Sequence, residues 1–303
     1  MRWSAKKRME FIESRLFWEG KISRKDITDF FDISIPQATK DIKAYSELAP
    51  KNIKYDPSAK QYVASSDFKS KIAQPSSDRY LTRLRILKGS KDRNYFFNGP
   101  ITPFSEMPQF RRFVDTDVLR KLVRSIHAKK SIKIDYQSMS STAPKTRWIT
   151  PHSLGHDGSR WHVRALCHNE NIYKDFNLGR IIAITDSLLH DIDHSIDYEW
   201  HNELSVVISP HPSLEGGTRS CIERDYCMEN GRVSLEIKAA FFYYFKLRFG
   251  FTDGHEVKPG NEQQIQLINL EEINAKIELL KSMSKNKIME LIESGNYATF
   301  TDK

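Results

Sequence analysis

Four short segments decide the fold of the middle of this chain: SIKIDY (131–136), TRWITPHSL (146–154), HDGSRWHVRALC (156–167) and YKDFNLGRIIAIT (173–185). Within them apolar residues alternate with polar ones, which is the period of a strand with one buried face. Turn-forming residues flank the third segment at 156–158 and 169–171. The pattern predicts short strands joined by tight turns, in a small twisted sheet or barrel.

The third segment carries more cationic and imidazole groups than a packed strand requires. Its alternation places Trp161 and Val163 on the packed side, and His162 and Arg164 on the opposite side. Arginine has a planar fork that suits phosphate, while histidine and tyrosine can stack on a base or hydrogen-bond to it. We therefore expect a nucleotide or nucleic-acid effector to bind this unpacked face through Tyr136, His152, Arg160, His162, Arg164 and Arg180.

A structural role is the alternative for the same cations. Arg160 and Arg164 could pair with Asp135, Asp157 or Asp175 and only stabilise the sheet. Effector binding is the favoured interpretation, because exposed salt bridges contribute little to stability. If it holds, Arg164→Ala should leave folding intact and abolish the response to the effector.

Charge is distributed unevenly along the 303 residues. Residues 1–130 hold 28 Lys and Arg against 15 Asp and Glu, whereas residues 131–303 hold 19 against 24. A basic first part is typical of binding to a polyanion such as DNA. The length suffices for two or three domains with separate cores. Because we find neither a membrane span nor a secretion signal, we expect a cytoplasmic protein with no membrane partner.

Residues 1–65 have the pattern of a winged helix-turn-helix domain. Helically spaced apolar residues predict three short helices, with Ser23 and Ser34 as N-caps and a tight turn at Asp32. Gln37 is spaced to complete a capping box with Ser34. Two short apolar runs around an Asp-Pro-Ser turn at 56–58 predict a β-hairpin wing.

The third helix is the predicted recognition helix, with Ile35, Ala38, Ile42 and Tyr45 on its inner stripe. Glutamine suits base edges and lysine suits phosphates. We expect double-stranded operator DNA to bind the outer stripe through Ser34, Gln37, Thr39, Lys40 and Lys43. The alternative is an ordinary three-helix bundle whose polar stripe faces water. The helix-turn-helix spacing, the wing and the local basicity together favour DNA.

The rest of the chain divides into three predicted parts. Residues 66–128 form a helical linker, whose charged helix fits plain solvation as well as contact with the DNA backbone. Residues 129–190 form the sensing domain and residues 200–303 an α+β module. Part of an aromatic helix at 241–245 could pack on a second copy of the chain, although core burial is the simpler interpretation. The fold class is thus an α+β multidomain protein, expected to be a homodimer.

Enzymatic function has weak support. Glu236 and Lys238, with Asp225 upstream, have the spacing of a metal-dependent nuclease core, yet they also fall on the solvent face of an alternating strand. The histidines have no spacing that demands zinc, and the three cysteines are best interpreted as reduced core thiols. We expect no enzyme, no metal site and no cofactor. A nuclease, or an accessory single-strand nucleic-acid-binding module, is the alternative.

Several of these motifs together resemble known families. The Ile-x-Tyr strand (134–136), the Arg-(x)3-Pro-His strand (147–152), Trp-His-Val (161–163) and Phe-Asn-Leu-Gly-Arg-Ile (176–181) resemble a WYL domain, although the middle residue of the naming tripeptide differs. The order of the C-terminal segments resembles winged-helix repressors of the BrxR/CapW type, which lie beside phage-defence operons. The resemblance implies a small Sm-like β-barrel at 129–190, a C-terminal dimerisation module and the function of a repressor. Because a two-fold protein matches an inverted repeat, we expect the operator to be palindromic.

Overall fold

The computed structural model describes residues 3–89, 102–108, 110–190, 192–251, 260, 262–295 and 297. The chain divides into two compact units, Met1–Gln109 and Phe110–Lys303, and each is described by itself. In the described parts, no helix combines the length and the apolar composition needed to span a membrane.

The first unit is a small helical bundle with a three-stranded sheet. Its elements in chain order are α1 (Trp3–Glu19), β1 (Lys21–Ile22), α2 (Arg24–Phe31), α3 (Ile35–Leu48), β2 (Ile53–Asp56), β3 (Gln61–Ala64) and α4 (Ser77–Gly89). Strand β3 lies between β1 and β2, and the antiparallel β2–β3 pair is the predicted hairpin wing. The core is formed by Ile12, Leu16, Ile27, Ile42 and Tyr45.

Local capping sets the geometry between α2 and α3. Ser23 and Asp26 form a reciprocal capping box at the start of α2. Asp32 ends that helix in the left-handed conformation, with φ of 48°, which an aspartate tolerates better than most residues. The hydroxyl of Ser34 then accepts the backbone N–H of Gln37 and begins α3. The predicted caps and the tight turn are confirmed.

A buried carboxylate fastens the segment after the wing to α1. Glu13 is fully buried, and its oxygens accept the backbone N–H groups of Lys71, Ile72 and Ala73 at 2.6–2.8 Å. The hydroxyl of Tyr45, on α3, donates to the same carboxylate at 3.2 Å. These bonds satisfy a charge that would be costly to bury alone, and they hold residues 71–73 against α1.

The second unit begins with one helix and an antiparallel five-stranded sheet. Its elements are α5 (Thr116–His127), β4 (Lys130–Tyr136), β5 (Lys145–His156), β6 (Trp161–Cys167), β7 (Ile172–Asn177) and β8 (Ile181–Leu189). The strand order is β7-β6-β5-β4-β8. The predicted twisted sheet is therefore present.

The expected Sm-like barrel is not formed. Among the described residues, β7 and β8 are the two edges of the sheet and do not pair with each other. They are consecutive in the chain, joined by the 3-10 turn Leu178–Arg180. Because four residue steps reach at most about 14 Å, the two edges lie near each other and the sheet is strongly curled. The turn connects the two edge strands, but the strands do not pair with each other, and a closed barrel requires that pairing.

One face of this sheet packs on α5. Asp115 caps that helix, and Val118 and Leu122 contact a layer of buried strand residues. That layer contains Ile132, Ile134, Ile149, Val163, Ala165 and Cys167. The prediction of core thiols holds for Cys167, which is buried, but is wrong for Cys221 and Cys227, which are exposed. Cys221 lies on a helix of the C-terminal region, and Cys227 follows the end of that helix.

The C-terminal region covers the other face of the same sheet. Its elements are α6 (Tyr198–His201), β9 (Glu203–Pro210), α7 (Gly216–Asp225), β10 (Val233–Lys238), α8 (Phe242–Phe249), β11 (Ile265–Leu267) and α9 (Leu270–Glu293). The strands form a second antiparallel sheet in the order β10-β9-β11. Ile288 of α9 packs with Leu166 and Tyr173 of the five-stranded sheet, so this sheet is buried on both sides there.

Candidate functional site

The outer face of α3 presents polar and cationic side chains without strong internal partners. Ser34, Thr39, Lys40 and Lys43 are all exposed. Thr39 donates its hydroxyl to the carbonyl of Ile35 at 2.9 Å, which leaves its methyl group and oxygen lone pairs facing outward. Lys43 lies 4.0 Å from Glu47, and both side chains are more than two-thirds exposed. Such a pair is weak in water, so the ammonium groups of this face are available to a polyanion.

Gln37 lies on the flank of that face. Its side-chain amide donates to Asp41 at 3.0 Å, and Asp41 also accepts two hydrogen bonds from Arg8, at 2.6 and 3.2 Å. The predicted capping box at Ser34 is therefore only half formed, because Asp41 attracts the Gln37 side chain away from the helix start. Gln37 is half-buried and keeps its carbonyl oxygen and one N–H for a further partner. Its role in reading a base stays a prediction.

The predicted position of Ile35 on the inner stripe is wrong. Its side chain is 61% exposed. It stands in the first turn of α3 between the exposed Ser34 and Pro36, at the rim of the bundle, where the other helices no longer cover the stripe. The exposure of Ile35 could have been inferred from its place directly after the N-cap, because the first turn of a helix that enters the major groove is the part that reaches base edges. Ile35 therefore joins the outer face.

The wing adds an aromatic pair beside a cation. Tyr55 of β2 and Tyr62 of β3 are cross-strand partners with ring centroids 5.0 Å apart. The guanidinium of Arg24, at the start of α2, lies 5.9 Å from the Tyr62 ring centroid, and its Nη2 donates to the Tyr62 hydroxyl at 3.5 Å. Stacking of this kind orients Arg24 at the surface. Local periodicity gives no signal for this arrangement, because Arg24 and Tyr62 are 38 positions apart in the chain.

Arg164, by contrast, is almost completely buried. Its guanidinium binds Asp197 through Nε and Nη2 at 2.7 and 2.9 Å, Glu199 at 2.9 Å and Asp175 at 3.4 Å. Burial alone would raise the pKa of Asp197, but hydrogen bonds from Arg164 and His152 outweigh it and lower that pKa to about 2. For Asp175 and Glu199 burial prevails and raises the pKa. One guanidinium thus holds three carboxylates.

The histidines of this face also contact partners within the protein. His152 lies 3.0 Å from Asp197, and His162 lies 2.8 Å from Asp157, with its ring 4.8 Å from that of Tyr244 on α8. The expectation of an unpacked face is therefore wrong here, because the C-terminal region covers it. Alternation along β6 separates the two faces correctly but cannot show that a distant segment packs on the second one.

The other predicted effector residues are less uniform. Tyr136 is buried, contacts Phe176 edge-on and accepts the backbone N–H of Asn177 at 3.3 Å. Arg160 and Arg180 are half-buried, and neither forms an ion pair with any residue that the structure describes. Effector binding by these side chains stays a prediction, and Arg160 and Arg180 are the two arginines of the set without an ion-pair partner among the described residues.

Trp161 departs from the predicted packing as well. We expected it to be packed together with Val163, but Trp161 is 51% exposed whereas Val163 is fully buried. It is the first residue of β6, beyond the end of the layer that α5 covers.

The candidate nuclease residues have other roles. Lys238 donates to the carbonyl of Trp200 at 2.8 Å, and its ammonium lies 5.3 Å from the Trp200 ring centroid. Glu236 is exposed on the edge strand β10. Among the described residues, no cluster of His, Cys, Asp and Glu could hold a metal ion. This geometry does not favour a nuclease.

Comparison with known proteins gives a consistent picture for all three regions. Residues 4–86 match the BrxR transcriptional regulator winged helix-turn-helix domain, residues 117–186 the WYL domain, and residues 203–273 the BrxR transcriptional regulator C-terminal dimerization domain. The DNA-binding transcriptional repressor CapW of Escherichia coli is 36% identical over 275 residues, which cover 90% of this chain and 92% of that protein. The chain belongs to the BrxR/CapW family.

Two further relatives agree with this assignment. The CapW repressor of Pseudomonas aeruginosa is 35% identical over 90% of this chain and 91% of its own length, and that of Stenotrophomonas maltophilia is 36% identical over 80% and 82%. Among solved structures, the proteasome accessory factor B/C (PafBC) of Arthrobacter aurescens matches with a TM-score of 0.31 and 14% identity, over 90% of this chain and 46% of that one. A likeness this slight supports no argument about function.

Proposed function

We propose that the protein is a homodimeric transcriptional repressor that binds operator DNA through the outer face of α3. The observation that carries the proposal is the exposed set Ser34, Ile35, Thr39, Lys40 and Lys43, presented by a capped helix-turn-helix. Thr39, Ile35 and Gln37 would read base edges, and Lys40 and Lys43 would contact phosphates. The family name of the CapW repressors supports the same function.

Dimer formation is the second part of the proposal. The region at 203–273 matches a dimerization domain, and the C-terminal region leaves large apolar side chains exposed, among them Leu235, Leu279 and Met283. A two-fold protein fits an inverted repeat whose half-sites lie about one helical turn, or a multiple of it, apart. The operator would therefore be palindromic, and the genes it controls would form a phage-defence operon, as the resemblance to the BrxR/CapW type implies.

Control by a nucleotide or nucleic-acid effector is the third part. Arg160 and Arg180 support it, since each offers a guanidinium group that no described carboxylate neutralises. Arg164 could take part only if the C-terminal segment that carries Asp197 moved away, and His162 only if it gave up its contact with Asp157. The accessible part of the effector site is thus at the rim of the five-stranded sheet.

Footprinting of the purified protein on the DNA upstream of its own gene tests the proposal. We expect two protected half-sites related by two-fold symmetry, and a dimer by light scattering at micromolar concentration. Duplex and single-stranded probes in parallel gel shifts distinguish an operator-binding repressor from a single-strand-binding module. A monomer that binds one asymmetric half-site tightly, or a protein that binds no upstream duplex, would overturn the proposal.

A further inference from the structure

Two residues outside the outer face of α3 hold the side chain of Gln37. Asp41 lies one turn after Gln37 on the same helix, and its Oδ1 atom accepts a hydrogen bond from the Gln37 side-chain amide at 3.0 Å. Arg8 of α1 binds the same carboxylate, with its Nε atom 2.6 Å from Oδ2 and its Nη2 atom 3.2 Å from Oδ1. Arg8, Asp41 and Gln37 thus form a connected set of hydrogen bonds, called the Gln37 clamp.

The two charged residues of the Gln37 clamp are shielded from water. The side chain of Asp41 is 6% exposed and that of Arg8 is 12% exposed. Two N–H groups of the guanidinium donate to the two carboxylate oxygens, and a bidentate contact of this kind fixes orientation as well as distance. Rotation of the carboxylate would break a charge-assisted hydrogen bond. Asp41 is therefore a fixed acceptor beside Gln37.

A fixed acceptor determines which way round the Gln37 amide lies. A carboxylate accepts hydrogen bonds and donates none, so the NH2 group of Gln37, and not its oxygen, faces Asp41. That bond uses one N–H group, and the carbonyl oxygen and the second N–H group remain for another partner. A glutamine without such an acceptor can turn its amide over and offer two N–H groups instead. The Gln37 clamp thus leaves one acceptor and one donor.

This combination matches adenine better than guanine. In the major groove adenine presents a donor at N6 and an acceptor at N7, whereas guanine presents two acceptors, O6 and N7. One acceptor and one donor on Gln37 can bind both groups of adenine. Opposite guanine, the Gln37 oxygen would face O6, and both acceptors would lose water without gaining a donor. We propose that Arg8 and Asp41 are positioning residues that make Gln37 selective for adenine.

The Gln37 clamp deepens the proposed function and rests on it in one respect, namely that α3 enters the major groove of the operator. It adds the base that Gln37 reads and the two residues that determine this choice. Overall affinity and base selectivity are separate quantities, so the two proposals can be told apart. A protein that binds its operator without a base pair sensitive to Gln37→Ala overturns the role of the clamp alone, whereas one that binds no duplex overturns both.

Gel-shift competition between the full-length protein and duplex operators, with each base pair replaced in turn, measures this selectivity. Gln37→Ala should lose selectivity at one base pair of each half-site, and the wild type should prefer adenine there. Asp41→Asn keeps the shape of the side chain but can also donate a hydrogen bond, so it no longer fixes the Gln37 amide. It should lower the preference for adenine over guanine at that position about tenfold.

A base analogue tests the contact without a change in the clamp. Replacing that adenine by 7-deazaadenine removes the N7 acceptor, so it should weaken binding of the wild type and leave binding of Gln37→Ala unchanged. This measurement needs only two proteins, and it decides the contact with adenine even if a variant of Asp41 fails to fold. Equal weakening of the wild type and Gln37→Ala would overturn the contact.

A double variant separates positioning from stability. If Asp41 acts through Gln37, Asp41→Asn should have no further effect on base selectivity in a protein that already carries Gln37→Ala. A loss of stability alone would weaken binding to all bases alike. Arg8→Gln removes the bidentate contact from α1 and should reduce selectivity in the same way as Asp41→Asn, so it provides a second route if Asp41→Asn fails to fold.

Glu19→Gln is the matched control. It removes another carboxylate that a buried arginine of α1 binds, since the Arg15 Nη1 atom lies 3.0 Å from Glu19, and it should keep the wild-type preference for adenine. The positioning role is overturned if Asp41→Asn and Arg8→Gln keep that preference, or if Glu19→Gln loses it to the same extent. It is also overturned if the wild type prefers another base where Gln37→Ala loses selectivity.

Discussion

The outer face of α3 and the Arg164 face of the five-stranded sheet contain similar residue types but differ in what surrounds them. Lys40 and Lys43 are exposed, and the Glu47 carboxylate lies 4.0 Å from the Lys43 ammonium. Arg164 is 4% exposed and contacts three carboxylates at 2.7–3.4 Å. The sequence pattern predicts ligand binding for the two lysines and for Arg164 alike, because each of them lies on the polar side of its helix or strand.

The difference shows that periodicity identifies the side of an element on which a residue lies, but not what covers that side. On α3 the second side faces water, since no described element of the first unit buries it. On the sheet the second side is covered by a segment that follows later in the chain. A cation is a candidate for ligand binding only where such coverage is absent, because a buried cation needs internal partners.

The largest expected effect of a substitution is a loss of stability on the side of the five-stranded sheet that the C-terminal region covers. Asp197→Ala should lower the free energy of unfolding of the second unit by about 3–5 kcal/mol, because it leaves the buried Arg164 guanidinium without its main partner. Urea denaturation followed by circular dichroism measures this. Asp186→Ala, at an exposed position on β8, is the control and should change stability by less than about 0.5 kcal/mol.

A double variant tests whether the unpaired Arg164 charge causes this loss of stability. Arg164→Met combined with Asp197→Leu should be closer to the wild type than Asp197→Ala, since the guanidinium and its main partner are removed together. Asp175 and Glu199, whose pKa values burial already raises, can take up protons when the guanidinium is gone. A small loss of stability in Asp197→Ala would mean that Arg164 is accessible to water and could hold a ligand after all.

The second prediction concerns pH. Burial, with smaller contributions from His190 and His194, lowers the pKa of His168 from 6.5 to about 3. Between these values the unfolded chain binds a proton that the folded chain does not, so stability falls as the pH falls below 6.5 and this decrease levels off near pH 3. The slope from this residue is about 1.4 kcal/mol per pH unit.

Thermal denaturation of the wild type and His168→Gln between about pH 7 and pH 5 measures this slope. The variant should have a flatter profile, although removing the hydrogen bonds of His168 with Thr150 and Tyr297 also lowers its stability at neutral pH. His201→Gln, at an exposed position, should keep the wild-type slope. Parallel profiles for His168→Gln and the wild type would show that His168 takes up its proton in the folded state as well.

The third prediction separates base reading from phosphate contact on the exposed side. Gln37→Ala should reduce discrimination at one base pair of the operator by about 1–3 kcal/mol. Lys43→Ala should weaken binding to all sequences alike and lower the salt slope by about 0.9, the value for one phosphate of duplex DNA. Gel-shift titrations on single-base operator variants at several salt concentrations give both quantities. If both variants bound as the wild type does, α3 would not be the recognition helix.

The smallest expected effect belongs to Ile35. The thymine methyl group is the apolar feature of the major groove, so an exposed isoleucine on the recognition helix should contact one. Ile35→Ala should weaken operator binding by about 1 kcal/mol, roughly fivefold, because less apolar surface is buried. Replacing the contacted thymine by uracil removes only the methyl group and should abolish the difference between wild type and variant. Leu48→Ala, exposed near the other end of α3, is the control.

Much of the first unit could be predicted from sequence, because its determinants lie close together in the chain. The Ser23–Asp26 capping box depends on residues three positions apart, and the turn at Asp32 follows directly from the end of α2. One prediction failed because a residue distant in the chain intervened. Gln37 does not complete its capping box because Asp41, which Arg8 of α1 holds in place, accepts its side chain.

For the sheet, the sequence determined the strands, their alternation and the placement of Val163 on the packed side. It did not reveal that β7 and β8 remain unpaired edges among the described strands, because closure depends on how strongly the whole sheet curls. Similarly, Trp161 is exposed because it lies beyond the part of the sheet that α5 covers. The extent of that cover depends on how α5 packs, which the sequence of β6 does not show.

The chain by itself thus determined the helix-turn-helix, the wing, the strands and the family, through caps, turns and periodicities that act within a few residues. Only the tertiary structure decided which cations are accessible. Asp197 lies 33 residues after Arg164 and meets it only when the C-terminal region folds onto the sheet. The physical reason is that burial is a property of surfaces brought together from distant parts of the chain, whereas alternation records only the two sides of one strand.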